Sequence, residues 1–219
     1  MLRVAALVSG GGTNLQAIID AQTNGVIRDA KVELVISNVA GAYALERAKN
    51  AGIKGALIRK KDFENHAQWE AALVKELKDN KIDLVVLAGF LSILSEDFIR
   101  QFPNQIINVH PSLIPSFCGE GMYGLKVHEA ALAKGVKVTG ATVHYVNEVV
   151  DGGEIIAQKA VEVLRGDTPE VLQKRVMEKA EWIILPRAIQ TIAEDAVLGY
   201  TIQNTTCMKR AKGSTDATF

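Results

Sequence analysis

Short apolar runs recur through the first half of the chain, each followed by a segment with helical spacing. This alternation constrains the fold more than any other feature. The runs are Val4-Ala5-Ala6-Leu7-Val8, Val32 to Ile36, Gly55 to Ile58, Asp83 to Leu87 and Ile106 to Val109. Helical patterns fall between them at Asn14–Ala21, Tyr43–Ala51, Asn65–Asp79 and Glu96–Gln101. Asp83-Leu84-Val85-Val86-Leu87 is apolar after its first residue, as expected of a strand covered on both faces. Strands alternating with helices mean βαβ units, and hence a parallel sheet with right-handed crossovers.

The second half changes character. Pro111 to Gly124 holds two prolines, three glycines and no clear period, so it reads as a long loop. A helix follows near Lys126–Lys134. Val138–Val146 and Glu154–Val163 then read as strands around Asp151-Gly152-Gly153, and so short a connection implies an antiparallel pair. Thr168-Pro169-Glu170 has the order cap, proline, acid that starts a helix. Leu172, Val176, Ala180 and Ile183 would form its buried stripe. The expected fold class is therefore α/β. It is a Rossmann-like open, mostly parallel twisted sheet with helices on both faces and an antiparallel strand in the C-terminal part. Residues 1–200 are expected to form one domain and 201–219 a polar, frayed tail.

Charge and composition exclude several function classes. The 219 residues carry 25 basic and 25 acidic side chains, so the chain lacks the basic excess of a nucleic-acid binder. Its longest apolar stretch, near Leu84–Leu91, is far short of the roughly 20 residues that span a bilayer. Arg3 to Ser9 reads as a strand and not as a leader segment. Two distant cysteines, Cys118 and Cys207, make neither a disulfide scaffold nor a zinc cluster. No pair of histidines or acids has metal-ligand spacing, so no metal is expected. The expected setting is cytoplasmic, with small-molecule partners, no nucleic acid and no membrane, as a monomer or homodimer.

Ser9-Gly10-Gly11-Gly12-Thr13-Asn14 joins the first strand to the first helix. Glycine there lets backbone approach a ligand, and the helix end offers unpaired N–H groups that suit a phosphate. A dinucleotide fingerprint would need glycine where Leu15 stands and an acid where Ser37-Asn38 stand. A Walker A loop would need a lysine. The alternative is a plain strand–helix turn with Asn14 as cap.

Asn108-Val109-His110 ends the fifth run. Residues two apart on a strand point to the same side, so Asn108 and His110 project together just before the long loop. Ligands of open α/β sheets bind beyond the carboxyl ends of strands, where the glycine loop and Gly89-Phe90-Leu91 also lie. An amide beside an imidazole can stabilise an oxyanion and move protons; the alternative is that both cap loop backbone. Asp151 either orients His110 or a water, or simply forms an Asp-Gly turn. Glu181, among apolar neighbours, either grips a ligand or reaches solvent from the edge of the stripe. His128 and His144 read as core or supporting residues, and His66 with its charged neighbours as a solvated helix face.

Together these segments resemble the phosphoribosylglycinamide formyltransferase (GAR transformylase) family over roughly residues 2–195. The resemblance rests on Val8 to Gln16, Ala88-Gly89-Phe90-Leu91-Ser92-Ile93-Leu94, Asn108 to Pro115, and Thr139 to His144 running into Asp151-Gly152-Gly153. It implies transfer of a formyl group from 10-formyltetrahydrofolate to the amino group of glycinamide ribonucleotide, in de novo purine biosynthesis. It makes residues 1–110 a phosphate-binding half and 111–200 a folate and catalytic half. By motif, Asn108, His110 and Asp151 are the implied catalytic trio. Gly11, Gly12, Thr13, Asn14, Leu15 and Glu181 are the implied ribonucleotide contacts. His66, Leu91, Ser92, Ile93, Leu94, Asn108, Asn147, Glu148, Val149, Val150 and Asp151 are the implied formyl-folate contacts. His66 stands where the family often has an arginine near the folate tail, and Ser116–Gly124 is longer than in some members.

The implied chemistry is direct acyl transfer with no covalent intermediate. Asn108 and a protonated or donating His110 would stabilise the oxyanion, and Asp151 would help move the proton. A formyltetrahydrofolate hydrolase or another formyl-folate-dependent transferase is the alternative. A tRNA-directed relative would carry an extra RNA-binding domain and more positive charge, and a hydrolase an amino-terminal regulatory domain. A non-catalytic sugar-phosphate or folate binding module is the rival from another class.

Overall fold

The alternating runs become strands of one sheet in the computed structural model, which describes residues 1–199. The expected tail at 201–219 lies outside the described residues. In chain order the elements are β1 (Leu2–Val8), α1 (Thr13–Thr23), β2 (Ala30–Ser37), α2 (Tyr43–Asn50), β3 (Lys54–Leu57), a 3-10 turn (Lys60–Asp62), α3 (His66–Asp79), β4 (Leu84–Leu87), α4 (Glu96–Arg100) and β5 (Ile106–His110). Then come α5 (Leu125–Lys134), β6 (Val138–Tyr145), β7 (Ile155–Glu162), α6 (Pro169–Val176), a π turn (Met177–Glu181) and α7 (Trp182–Val197). Each expected element is present, with ends shifted by a residue or two. The stretch 111–124 is a connection, as its lack of periodicity implies.

The sheet order is β3-β2-β1-β4-β5-β6-β7. Strands β1 to β5 pair in parallel, and β6 is antiparallel to both β5 and β7. So β6 alone runs against the other strands of this Rossmann-like sheet. The chain leaves β1 towards β2 and β3, then returns to place β4 on the other side of β1. That reversal opens a crevice at the carboxyl ends of β1 and β4.

Alternation along the strands builds two cores. Val4, Ala6 and Val8 face Leu15 and Ile18 of α1, Ala44 and Ala48 of α2, Ala131 of α5, Leu172 and Val176 of α6, and Ile184 and Ile189 of α7. Ala5 and Leu7 face Trp69, Leu73 and Leu77 of α3 and Phe98 of α4. Helices start where side chains supply caps: Asn65 accepts from the N–H of Gln68, Ser95 from Phe98 and Thr168 from Val171. The expected stripe of the last helix needs one correction. Ile183 is only half-buried, and Ile184 and Leu185 face the core instead. The π turn inserts extra rotation between α6 and α7, so the apolar face resumes one residue later than a continuous α-helix would put it.

Candidate active site

The glycine loop crosses the crevice between β1 and α1. Gly12 adopts φ +70°, and a Cβ there would stand 2.6 Å from the Ala44 Cβ. Only glycine satisfies both demands. No side chain caps α1, so the N–H groups of its first turn stay open at the loop. Asn14 is therefore not the cap. Its Nδ2 instead donates to Glu181 Oε2 at 2.8 Å, while its buried Oδ1 has no partner among the described residues. The Leu15 side chain is wholly buried in the core, so only its backbone is left for a ligand.

Glu181 closes the π turn and does not reach solvent. It is 6% exposed, and burial pushes its carboxyl up to about 7 despite the opposing Asn14 donor. The last helix thus delivers an acid to a loop 167 positions earlier in the chain.

Beyond β4 and β5 the polar side chains converge. The β5–β6 register sets Asn108 opposite His144 and His110 opposite Thr142. Asn108 Nδ2 lies 3.2 Å from His144 Nε2, and His144 Nδ1 lies 2.8 Å from the Tyr145 carbonyl. His144 Nε2 thus stands within reach of the Asn108 amide and fixes its orientation. His110 Nε2 donates to the Phe117 carbonyl at 2.9 Å, which leaves Nδ1 facing Asp151 Oδ2 at 3.4 Å. His144 Nε2 is 3.6 Å from the other Asp151 oxygen. The N–H of Gly119 donates to Asp151 Oδ2 at 2.9 Å. The expected trio of Asn108, His110 and Asp151 therefore meets, with His144 between the amide and the acid.

Asp151 is both things its sequence allowed. It sits in a turn at φ +55°, a conformation aspartate tolerates better than most residues, and it points into the site. Gly153 behind it passes so near β6 that a Cβ would overlap the Tyr145 carbonyl. Burial alone would raise the Asp151 carboxyl, but His144, the Gly119 N–H and His110 outweigh it and hold it below the usual range. Burial lowers the His110 imidazole, more than Asp151 and the Phe117 carbonyl raise it. The resting pair is thus a carboxylate beside a neutral imidazole with an open Nδ1. His128 on α5 is fully buried and pushed down to about 4, first by burial and then by His110, which fits the core role expected of it.

His66 and Leu91 to Leu94 line a cavity of about 580 Å³ with Lys60 and Ser95. Leu91 and Ile93 are 67% and 65% exposed, which leaves apolar wall for a flat ligand. The solvated face expected around His66 holds for Lys61, Asp62 and Glu64, which are exposed, but not for His66 itself. Its ring is half-buried against Trp69, its Nε2 lies 3.0 Å from Glu70 Oε1, and buried Glu70 accepts from the N–H and hydroxyl of Ser95. Asn147 to Val150 lie beside Asp151 in the β6–β7 connection, with Val149 65% exposed, and do not line this cavity.

Sequence reasoning missed the backbone partners Phe117 O and Gly119 N–H, which no residue type announces. It also missed the rim network. Ser9 Oγ donates to Asn38 Oδ1 and accepts the Leu91 N–H, and Asn38 Nδ2 donates to Ser92. Asn38, noted only as the wrong residue for a dinucleotide site, ties the ends of β1, β2 and β4 together. Among the described residues, no helix is long and apolar enough to cross a membrane and no cluster of His, Cys, Asp or Glu is placed to hold a metal ion.

Sequence and fold are shared with known proteins. Residues 2–189 match the family model described as formyl transferase. The human trifunctional purine biosynthetic protein adenosine-3 is 45% identical over 195 residues, covering 89% of this chain and 19% of that protein. The chain thus spans about a fifth of the length of the trifunctional relative. The phosphoribosylglycinamide formyltransferase of Haemophilus influenzae is 42% identical, covering 89% of this chain and 88% of its own. Glycinamide ribonucleotide transformylase 1 from Symbiobacterium toebii superimposes with a TM-score of 0.83 at 44% identity, covering 89% of this chain and 88% of that one.

Proposed function

Because the chain belongs to the formyl transferase family, we propose that it transfers a formyl group from 10-formyltetrahydrofolate to the amino group of glycinamide ribonucleotide, in de novo purine biosynthesis. The observation that carries this reading is the convergence of Asn108, His144, Asp151 and His110 on the rim that also bears the open glycine loop and buried Glu181.

In this reading the ribonucleotide phosphate sits against the N–H groups of Gly11 to Leu15. Glu181, held by Asn14, meets the ribose or glycinamide end. The formyl-folate lies along Leu91 to Leu94 and Asn147 to Asp151, with its tail towards His66. The substrate amine attacks the formyl carbon, and the amide of Asn108 stabilises the growing oxyanion. The amine then gives up a proton. The His110 Nδ1, with Asp151 and a bridging water, accepts it and returns it to the folate nitrogen as that carbon–nitrogen bond breaks. Holding both substrates on one rim makes the step effectively unimolecular. In this reading the protein works on small molecules in the cytoplasm, as a monomer or homodimer.

The test is to incubate the purified protein with glycinamide ribonucleotide and a formyl-folate while following folate absorbance. Turnover that requires the ribonucleotide is expected. Turnover without it would make the protein a hydrolase, and binding without turnover a non-catalytic module.

A further inference from the structure

We propose that Arg47 is a positioning residue that shapes the phosphate cradle, a role that rests on the reading of the glycine loop given above. Helix α2 holds two successive carbonyls of that loop. Gly10 O accepts the Ala44 N–H at 3.1 Å, and Gly11 O accepts Arg47 Nε at 2.8 Å. Both peptide bonds are trans, so the N–H groups on their other sides, those of Gly11 and Gly12, turn away from α2. Among the described residues neither has an intramolecular acceptor. They lead directly into the uncapped first turn of α1. Consecutive N–H groups turned to one side form an anion-binding concavity.

Arg47 is itself fixed at three points. Its Nε holds Gly11, its Nη1 donates to Gln16 Oε1 on α1 at 2.9 Å, and its guanidinium carbon lies 5.0 Å over the Tyr43 ring. One planar fork therefore sets the loop against the helix whose end completes the cradle. Its hydrogen bonds go to neutral oxygens, and among the described residues no carboxylate pairs with it. Its charge stays available to a phosphate at the rim.

The experiment compares wild type with Arg47→Met and Arg47→Lys in two measurements. One is calorimetric binding of ribose 5-phosphate. The other is kinetics with glycinamide ribonucleotide and with its unphosphorylated ribonucleoside. Arg47→Met is expected to weaken ribose 5-phosphate binding and raise KM for the ribonucleotide about tenfold or more, as loss of a charge-assisted hydrogen bond does. Its kcat should stay within about threefold, and the KM for formyl-folate and the kcat/KM for the ribonucleoside should not move. Arg47→Lys keeps the charge but not the fork, and should recover only part of the loss. Full recovery by lysine, or equal losses with ribonucleotide and ribonucleoside, would overturn the proposal. Arg47-dependent sugar-phosphate binding without formyl transfer would overturn the proposed reaction and leave Arg47 its role. Wild-type ribose 5-phosphate affinity and wild-type KM for the ribonucleotide in both variants, with formyl transfer intact, would do the reverse.

Discussion

Two side chains carry the chemistry that residue-scale measurements can isolate. Asn108 presents an amide that His144 holds in place, so removing it would delete the proposed oxyanion donor without disturbing the core. Asn108→Ala should lower kcat by about 10²- to 10³-fold while thermal stability changes little, as read from steady-state rates and a melting curve. Glu181 makes a prediction about pH. Its carboxyl titrates near 4.5 when unfolded and about 7 when folded, so between these values the folded protein holds the extra proton. Stability from this group is therefore full below 4.5 and falls as pH rises to about 7, after which it is level. The whole change is of order 3 kcal/mol. Glu181→Gln should flatten the melting temperature against pH across that window, and a variant curve parallel to wild type would refute the buried-acid assignment. Asn108 and His110 were legible because a strand's two-residue period puts them together whatever the fold. His144 was not, because its place opposite Asn108 depends on the β5–β6 register, which no single segment encodes. Leu15 shows what a motif leaves open: helical geometry turns its side chain into the core and leaves only its backbone at the loop.

At the scale of elements, the connection at 111–124 shows how an aperiodic segment becomes a fixed part of the site. The Thr142 hydroxyl donates to Ser112 O at 2.7 Å and accepts the Ile114 N–H at 3.1 Å and Gln158 Nε2 at 3.0 Å. One buried hydroxyl on β6 thus pins the segment that carries Phe117 O and Gly119 N–H. Thr142→Val keeps the volume and strips those partners, so it should cost about 1–3 kcal/mol. Hydrogen exchange should quicken in 112–124 and leave β1 and β4 protected. Uniform quickening would mean that the hydroxyl supports the sheet and not the connection. Helix and strand positions were legible from apolar spacing to within a residue or two. The π turn was not. Leu172, Val176 and Ala180 keep helical spacing into it, and only its geometry shows that Ile184 and Leu185, not Ile183, take the next place in the core.

At the scale of the whole molecule, one core runs across the expected boundary at residue 110. The core that holds Val4, Leu15 and Ile18 also holds Leu172, Ile184 and Ile189, so neither half can bury its apolar face alone. We expect one unfolding transition with equal calorimetric and van't Hoff enthalpies, and an unfolded circular dichroism spectrum for the isolated 1–110 fragment. Two transitions, or a folded fragment, would restore the two-part description. The sheet order was not readable from the chain beyond its parallel character, since the reversal at β1 is decided by how helices share the two faces.

The bond between Asn14 and Glu181 also bears on how the protein is made. The glycine loop leaves the ribosome early, but the acid that completes its pocket emerges only after nearly all of the described sequence has been translated. The bond to Asn14 therefore cannot form in a nascent chain until Glu181 has emerged.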